Sequence, residues 1–100
     1  MKLLKIEGNL GYFLGNQGEF TPVDKITKDD LLRLVNLTLD TEVELEEYDE
    51  EYLRNQAHQI VYKSIFEKLQ GLRERKQEFI DESERLYLQE YDRYRVEPSQ

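Results

Sequence analysis

The first quarter of the chain alternates apolar and polar residues with a period of two, which is typical of β-strands with one buried face. Gly8 and Asn9 separate two such segments as a two-residue hairpin turn would, because both residues tolerate positive φ. Pro22 cannot donate a ladder hydrogen bond, so the third strand should lie at an edge or end there. The pattern predicts a three-stranded antiparallel meander built from residues 2–7, 10–14 and 19–23.

Residues 27–37 show the spacing of a short amphipathic helix, with apolar positions on one side. Thr27 is a suitable N-cap, and Asp30 stands where the reciprocal partner of a capping box is expected. Strict alternation follows over 37–46 and is most convincing over 42–46. We therefore expect a strand near 41–46 that returns to the meander. Its outer face would be a ladder of carboxylates from Glu42, Glu44 and Glu46.

From Asp49 to Tyr94 the chain contains no proline and only one glycine, Gly71. This region predicts one long helix over 49–95, with Asp49 as its N-cap, or a helical hairpin that breaks at Gly71. The single helix is favoured because the residues after Gly71 offer no N-cap and no loop. Two apolar stripes are expected on it. The first comprises Leu53, Ala57, Ile60, Val61, Ile65 and Leu69, and the second comprises Leu72, Phe79, Ile80, Leu86, Tyr87, Tyr91 and Tyr94.

These elements predict one α+β domain over residues 1–100. It would hold a small antiparallel sheet with a returning strand, one short helix, and a long C-terminal helix or helical hairpin. Its parts are a β-rich region with the short helix, a long helical region and a frayed tail, at residues 1–47, 48–95 and 96–100.

The charge of the chain is concentrated in one block. The net charge is −8, and residues 41–53 contain seven acids and no base, whereas residues 54–100 contain nine of each sign. Phosphate binding needs clustered Lys and Arg, so a nucleic-acid partner is not expected. An alternative use of the block is imitation of nucleic-acid phosphate against a basic protein, and weak contact of the balanced C-terminal region with nucleic acid is another.

Few catalytic arrangements remain open to this composition. The absence of cysteine excludes disulfides and thiolate chemistry. The glycines of residues 8–18 resemble turns more than a phosphate loop, because no Lys or Arg lies among them and no helix follows. His58 is the only histidine. Paired with a carboxylate it could act as a general base, and it is the only residue that makes a minor hydrolase-type enzyme plausible. A surface or boundary position for His58 is the favoured interpretation, so we expect no enzyme, no cofactor and no metal site.

Tyrosine and arginine, which are enriched at protein interfaces, are frequent near the C-terminus. The sequence therefore predicts a small, non-enzymatic interaction or regulatory protein, acting through its C-terminal helix and its acidic strand face as a homodimer or with another protein. No signal peptide or apolar span is recognisable, so we expect a cytoplasmic protein with no membrane contact. The expected interface residues are Leu72, Phe79, Ile80, Tyr87, Tyr91 and Tyr94.

Overall fold

The computed structural model describes residues 1–96, and side chains as far as Gln89 apart from Tyr87. Four strands, two helices and one turn of 3-10 helix follow one another along the chain. They are β1 (Lys2–Glu7), β2 (Leu10–Leu14), β3 (Phe20–Pro22), the 3-10 turn (Val23–Lys25), α1 (Lys28–Asp40), β4 (Glu44–Leu45) and α2 (Gln56–Val96). The expected α+β class is confirmed. Of the tail expected to fray, residues 96–100, Val96 is helical in α2, and residues 97–100 lie outside the described residues.

The β1–β2 hairpin forms as the sequence predicts. Glu7 pairs with Leu10 across a two-residue turn, and Gly8 and Asn9 occupy it with φ values of 58° and 67°. Positive φ at both central positions gives the turn a twist that matches the flanking strands. β3 then pairs antiparallel with β2, so the three-stranded meander is confirmed.

The N-terminus of α1 carries the predicted capping box. The Asp30 N–H donates to Thr27 Oγ1 at 3.1 Å, and the Thr27 N–H donates to Asp30 Oδ2 at 3.0 Å. The hydrogen bond from the Thr27 N–H is the main reason that the pKa of Asp30 lies below its usual value. The cap holds the first turn of α1 at the end of the meander.

The returning strand differs from the expectation in both length and direction. α1 continues to Asp40, so residues 37–40 are helical, and β4 contains only Glu44 and Leu45. β4 pairs parallel with β1, which makes the sheet mixed, in the order β3-β2-β1-β4. The alternation misled because Leu34 and Thr38 are also spaced for one face of a helix, and both are buried there. The expected antiparallel sheet is therefore wrong at this edge.

α2 is one uninterrupted helix of 41 residues that passes through Gly71, so the chain does not fold back as a hairpin there. At 1.5 Å per residue it is about 60 Å long. The longest dimension of the molecule is 68 Å, and its radius of gyration is 19.1 Å, against about 13 Å for a compact domain of this size. The molecule is a small body with a helix that extends away from it.

α2 begins later than the sequence suggests. The side chain of Asp49 accepts a hydrogen bond from the Glu51 N–H at 2.9 Å, which closes a local turn instead of starting the helix. Asn55 is the residue that caps α2, because its Oδ1 accepts from the His58 N–H at 3.1 Å. Asp49 and Asn55 are both good caps, so residue type alone did not separate them.

The face of α2 that packs on the body also differs from the first predicted stripe. His58 and Tyr62 are buried together with Ile65 and Leu69, whereas Ile60 is 75% exposed. Ala57, also predicted to be buried, is exposed. The buried face therefore begins with two residues that carry polar atoms. The fully or nearly buried apolar residues form a single core: Leu3, Leu4, Phe13, Val23, Leu34, Val43, Leu53, Tyr62, Ile65 and Leu69.

Gly11 of β2 is a point where α2 approaches the sheet closely. A Cβ atom at this position would lie 2.7 Å from Cδ2 of Tyr62 and 3.4 Å from Cγ2 of Val23. The first distance is shorter than carbon atoms tolerate, so the Tyr62 ring occupies space that any other residue at position 11 would fill.

We expect Gly11→Ala to lower the free energy of unfolding by about 1–3 kcal/mol, the usual cost of overpacking a core. Gly71→Ala is the matched control. Its Cβ would lie no closer than 3.6 Å to a neighbouring atom, the end of the Arg75 side chain, and alanine in a helix gains about 0.5–1 kcal/mol over glycine. Urea denaturation of both variants measures the two changes, and an unaltered midpoint for Gly11→Ala would contradict the tight approach.

Candidate interaction surface

The second half of α2 leaves the body of the protein. The Lys76 ammonium donates to the main-chain carbonyls of Thr38 and Thr41 at 3.4 Å. These carbonyls lie at the C-terminal end of α1, where a positive charge is favourable for the helix dipole. Ile80 lies at the rim of a groove of about 240 Å³ between α2 and the end of α1. Every described side chain from Gln77 to Gln89 is exposed. We call residues 77–96 the distal segment.

The distal segment presents large apolar side chains to solvent. Phe79 is 72% exposed, and Ile80 is exposed to a smaller extent. Leu86 and Leu88 are also exposed. Leu88 was not predicted, because it lies outside the stripe that helical periodicity selects. Phe79 and Leu86 are seven residues apart and so share one side of the helix, and an exposed apolar side of this kind is typical of contact surfaces.

The remaining residues of the predicted interface are placed differently. Leu72 packs partly buried against the core, so it belongs to the body more than to the distal segment. Positions 87, 91 and 94 lie on α2, but the side chains of Tyr87, Tyr91 and Tyr94 lie outside the described residues. The part of the prediction that can be located is therefore the pair Phe79 and Ile80.

The three acids of the predicted strand face have separate environments. Glu42 precedes β4, and Glu44 lies in it; both side chains are exposed. Glu46 is held against β1, where its carboxylate accepts from the Ile6 N–H at 2.9 Å and pairs with the Lys2 ammonium at 2.9 Å. Through this side-chain hydrogen bond, Glu46 continues the contact between β4 and β1 beyond the end of the two-residue strand. Among the described residues, no three His, Asp or Glu side chains come together as metal ligands would.

Tyr62 connects α2 to the same corner of the sheet. Its hydroxyl donates to the main-chain carbonyl of Glu46 at 2.5 Å, and its side chain is fully buried. Burial raises the pKa of Tyr62 well above its ordinary value of 10.0, and the nearby Glu46 carboxylate raises it further. The neutral phenol is therefore part of the packing of the helix on the sheet.

We expect Tyr62→Phe to lower the free energy of unfolding by about 1 kcal/mol near neutral pH, because the Glu46 carbonyl loses its hydrogen bond. Since the folded-state pKa of Tyr62 lies above the unfolded value, its contribution is complete below pH 10.0 and is lost as the pH rises beyond it. The phenylalanine variant has no such loss, so the gap between the proteins should narrow in alkali. Urea denaturation at about pH 8 and about pH 11 measures the gap; a constant gap would contradict the prediction.

His58 is buried at only 5% exposure, so the expectation of a surface or boundary histidine is wrong. The Gly11 N–H donates to Nδ1 at 3.1 Å, and Nε2 lies 3.3 Å from Oδ1 of Asp24. Because Nδ1 accepts a hydrogen bond, the proton of the neutral ring is on Nε2 and faces the carboxylate. Both ring nitrogens are thus engaged by other parts of the protein. Sequence reasoning missed this role because the partners come from β2 and the 3-10 turn.

The hydrogen bond from Gly11 allows a direct test of that role. We expect His58→Leu to cost about 1–3 kcal/mol of stability, because it leaves the buried Gly11 N–H without an acceptor. His58→Asn is the control, since the amide oxygen stands near the position of Nδ1 and can accept the same bond. Thermal and urea denaturation compare the variants. A leucine variant as stable as the asparagine variant would show that the hydrogen bond contributes nothing.

No protein family, curated protein or solved structure matches this chain. Neither helix within residues 1–96 has an apolar stretch of the kind that crosses a membrane.

Proposed function

We propose that the protein is a small cytoplasmic, non-enzymatic interaction module, and that the distal segment is the surface through which it binds a protein partner. The observation that carries the proposal is the exposure of Phe79 and its neighbours on a helix that extends beyond the body. A helix in water gains most of its stability from packing an apolar face. A protein partner would cover that face in the distal segment.

The composition of the distal segment supports the same function. It combines exposed leucine and aromatic side chains with three tyrosines and three arginines in sequence. Aromatic residues and arginine are the types that contribute most binding energy at protein interfaces. The acidic strand face plays a secondary part in this proposal. Glu42 and Glu44 are exposed, whereas Glu46 is engaged with Lys2 and the Ile6 N–H.

A photo-crosslinking amino acid at position 79 tests the proposal in cells that express the full chain. We expect ultraviolet light to give a discrete crosslinked species, because an interface places partner atoms against Phe79. Ile60 is the matched control position. It is an equally exposed apolar residue of α2, at 75% against 72%, but it lies over the body instead of in the distal segment.

Mass spectrometry of the crosslinked species identifies the partner, whether another protein or a second copy of the chain. A species that forms from position 79 and not from position 60 supports the proposal. Equal crosslinking from both positions, or none from position 79, would show that the distal segment is not an interface.

A further inference from the structure

We infer that the partner of the distal segment is a second copy of this chain, paired with it in the antiparallel direction. The inference rests on the proposed function and adds to it the identity and the orientation of the partner. Two independent observations support it: the distribution of charge along the distal segment, and the length of helix that extends beyond the body.

Charge of opposite sign lies at the two ends of the distal segment. Residues 77–84 contain four acids and no base, and residues 85–96 contain three arginines and two acids. A parallel pair would align the acidic part of each copy with itself, which is repulsive. An antiparallel pair aligns the acidic part of each copy with the arginine-containing part of the other. The segment is therefore complementary to itself in one direction only.

The individual positions agree with this direction. Glu82 and Arg93 are eleven residues apart, as are Glu84 and Arg95. Eleven residues make about three turns, so each acid and its arginine occupy the same flank of the helix. In antiparallel pairs equivalent flanks face each other. A two-fold axis between positions 88 and 89 sets each acid within two residues, or about 3 Å along the axis, of its arginine position in the other copy.

The length of the extending helix fits the same axis. With the centre of the pair between positions 88 and 89, Val96 of one copy lies opposite Asp81 of the other. Ile80, at the rim of the groove beside α1, marks where the body ends on the helix. Two copies can thus overlap along residues 81–96, the part of α2 beyond Ile80 that the structure describes. Leu86 and position 87 lie within the overlap, and Phe79 lies two residues before it.

Spin labels on single cysteines measure the direction, since the chain has no cysteine of its own. We choose Glu78→Cys and Gln89→Cys, two exposed positions on the side of the helix away from the apolar stripe. In the antiparallel pair the two labels at 78 are offset by roughly 30 Å along the axis, whereas those at 89 have almost no offset. We therefore expect a clearly longer distance between the labels at 78. Equal distances from the two sites indicate a parallel pair and overturn the inference.

Charge reversal tests the pairing of flanks. We expect Glu82→Arg to raise the dissociation constant by about fivefold to tenfold, because the altered contact occurs twice in a symmetric pair. Adding Arg93→Glu exchanges the charges and should restore the wild-type constant. Sedimentation equilibrium measures all three proteins, and circular dichroism checks that each remains folded. A double variant that stays as weak as the single variant would contradict the pairing.

Sedimentation and crosslinking from position 79 together distinguish a failure of this inference from a failure of the proposed function. If sedimentation gives a monomer at about 100 μM, well above the range of common specific affinities, self-pairing is wrong. Position 79 can in that case still crosslink to a different protein, and the proposed function stands. If position 79 crosslinks to nothing and the protein is also monomeric, both are wrong.

Discussion

The packing of α2 on the sheet depends on the missing side chain at position 11. The Tyr62 ring lies where a Cβ atom would otherwise stand, and the N–H of the same glycine donates to His58 one turn earlier on the helix. The Tyr62 hydroxyl then reaches the carbonyl of Glu46. One close approach therefore sets the position of the helix and ties it to both β2 and the segment that follows β4.

Features that depend on a few neighbouring residues could be predicted from the sequence. The hairpin turn follows from two adjacent residues that tolerate positive φ, and the capping box follows from Thr27 and Asp30 alone. The continuity of α2 through Gly71 was favoured for a local reason as well, since nothing after the glycine could cap a second helix. In each case the interactions that determine the local structure are made between residues only a few positions apart in the sequence.

Features that depend on distant partners could not be predicted in this way. The buried face of α2 begins with His58 and Tyr62, whose polar atoms are satisfied by Gly11, Asp24 and Glu46 across the fold. A hydrophobicity pattern counts such residues as surface. The direction of β4 is likewise decided by its pairing with β1, some forty residues earlier, and alternation carries no information about direction. Phe79 and Ile80 of the predicted second stripe are exposed, as is Leu88, which lies outside that stripe.

The continuity of α2 also makes the helix a spacer of defined length and rotation. Between Lys76, which is bound to the end of α1, and Leu88 the helix rises about 18 Å and contains no proline or glycine at which it would bend. Each residue in that interval contributes 1.5 Å of height and about 100° of turn. A partner that binds the distal segment, as we propose, would be held at a set distance from the sheet and in a set orientation.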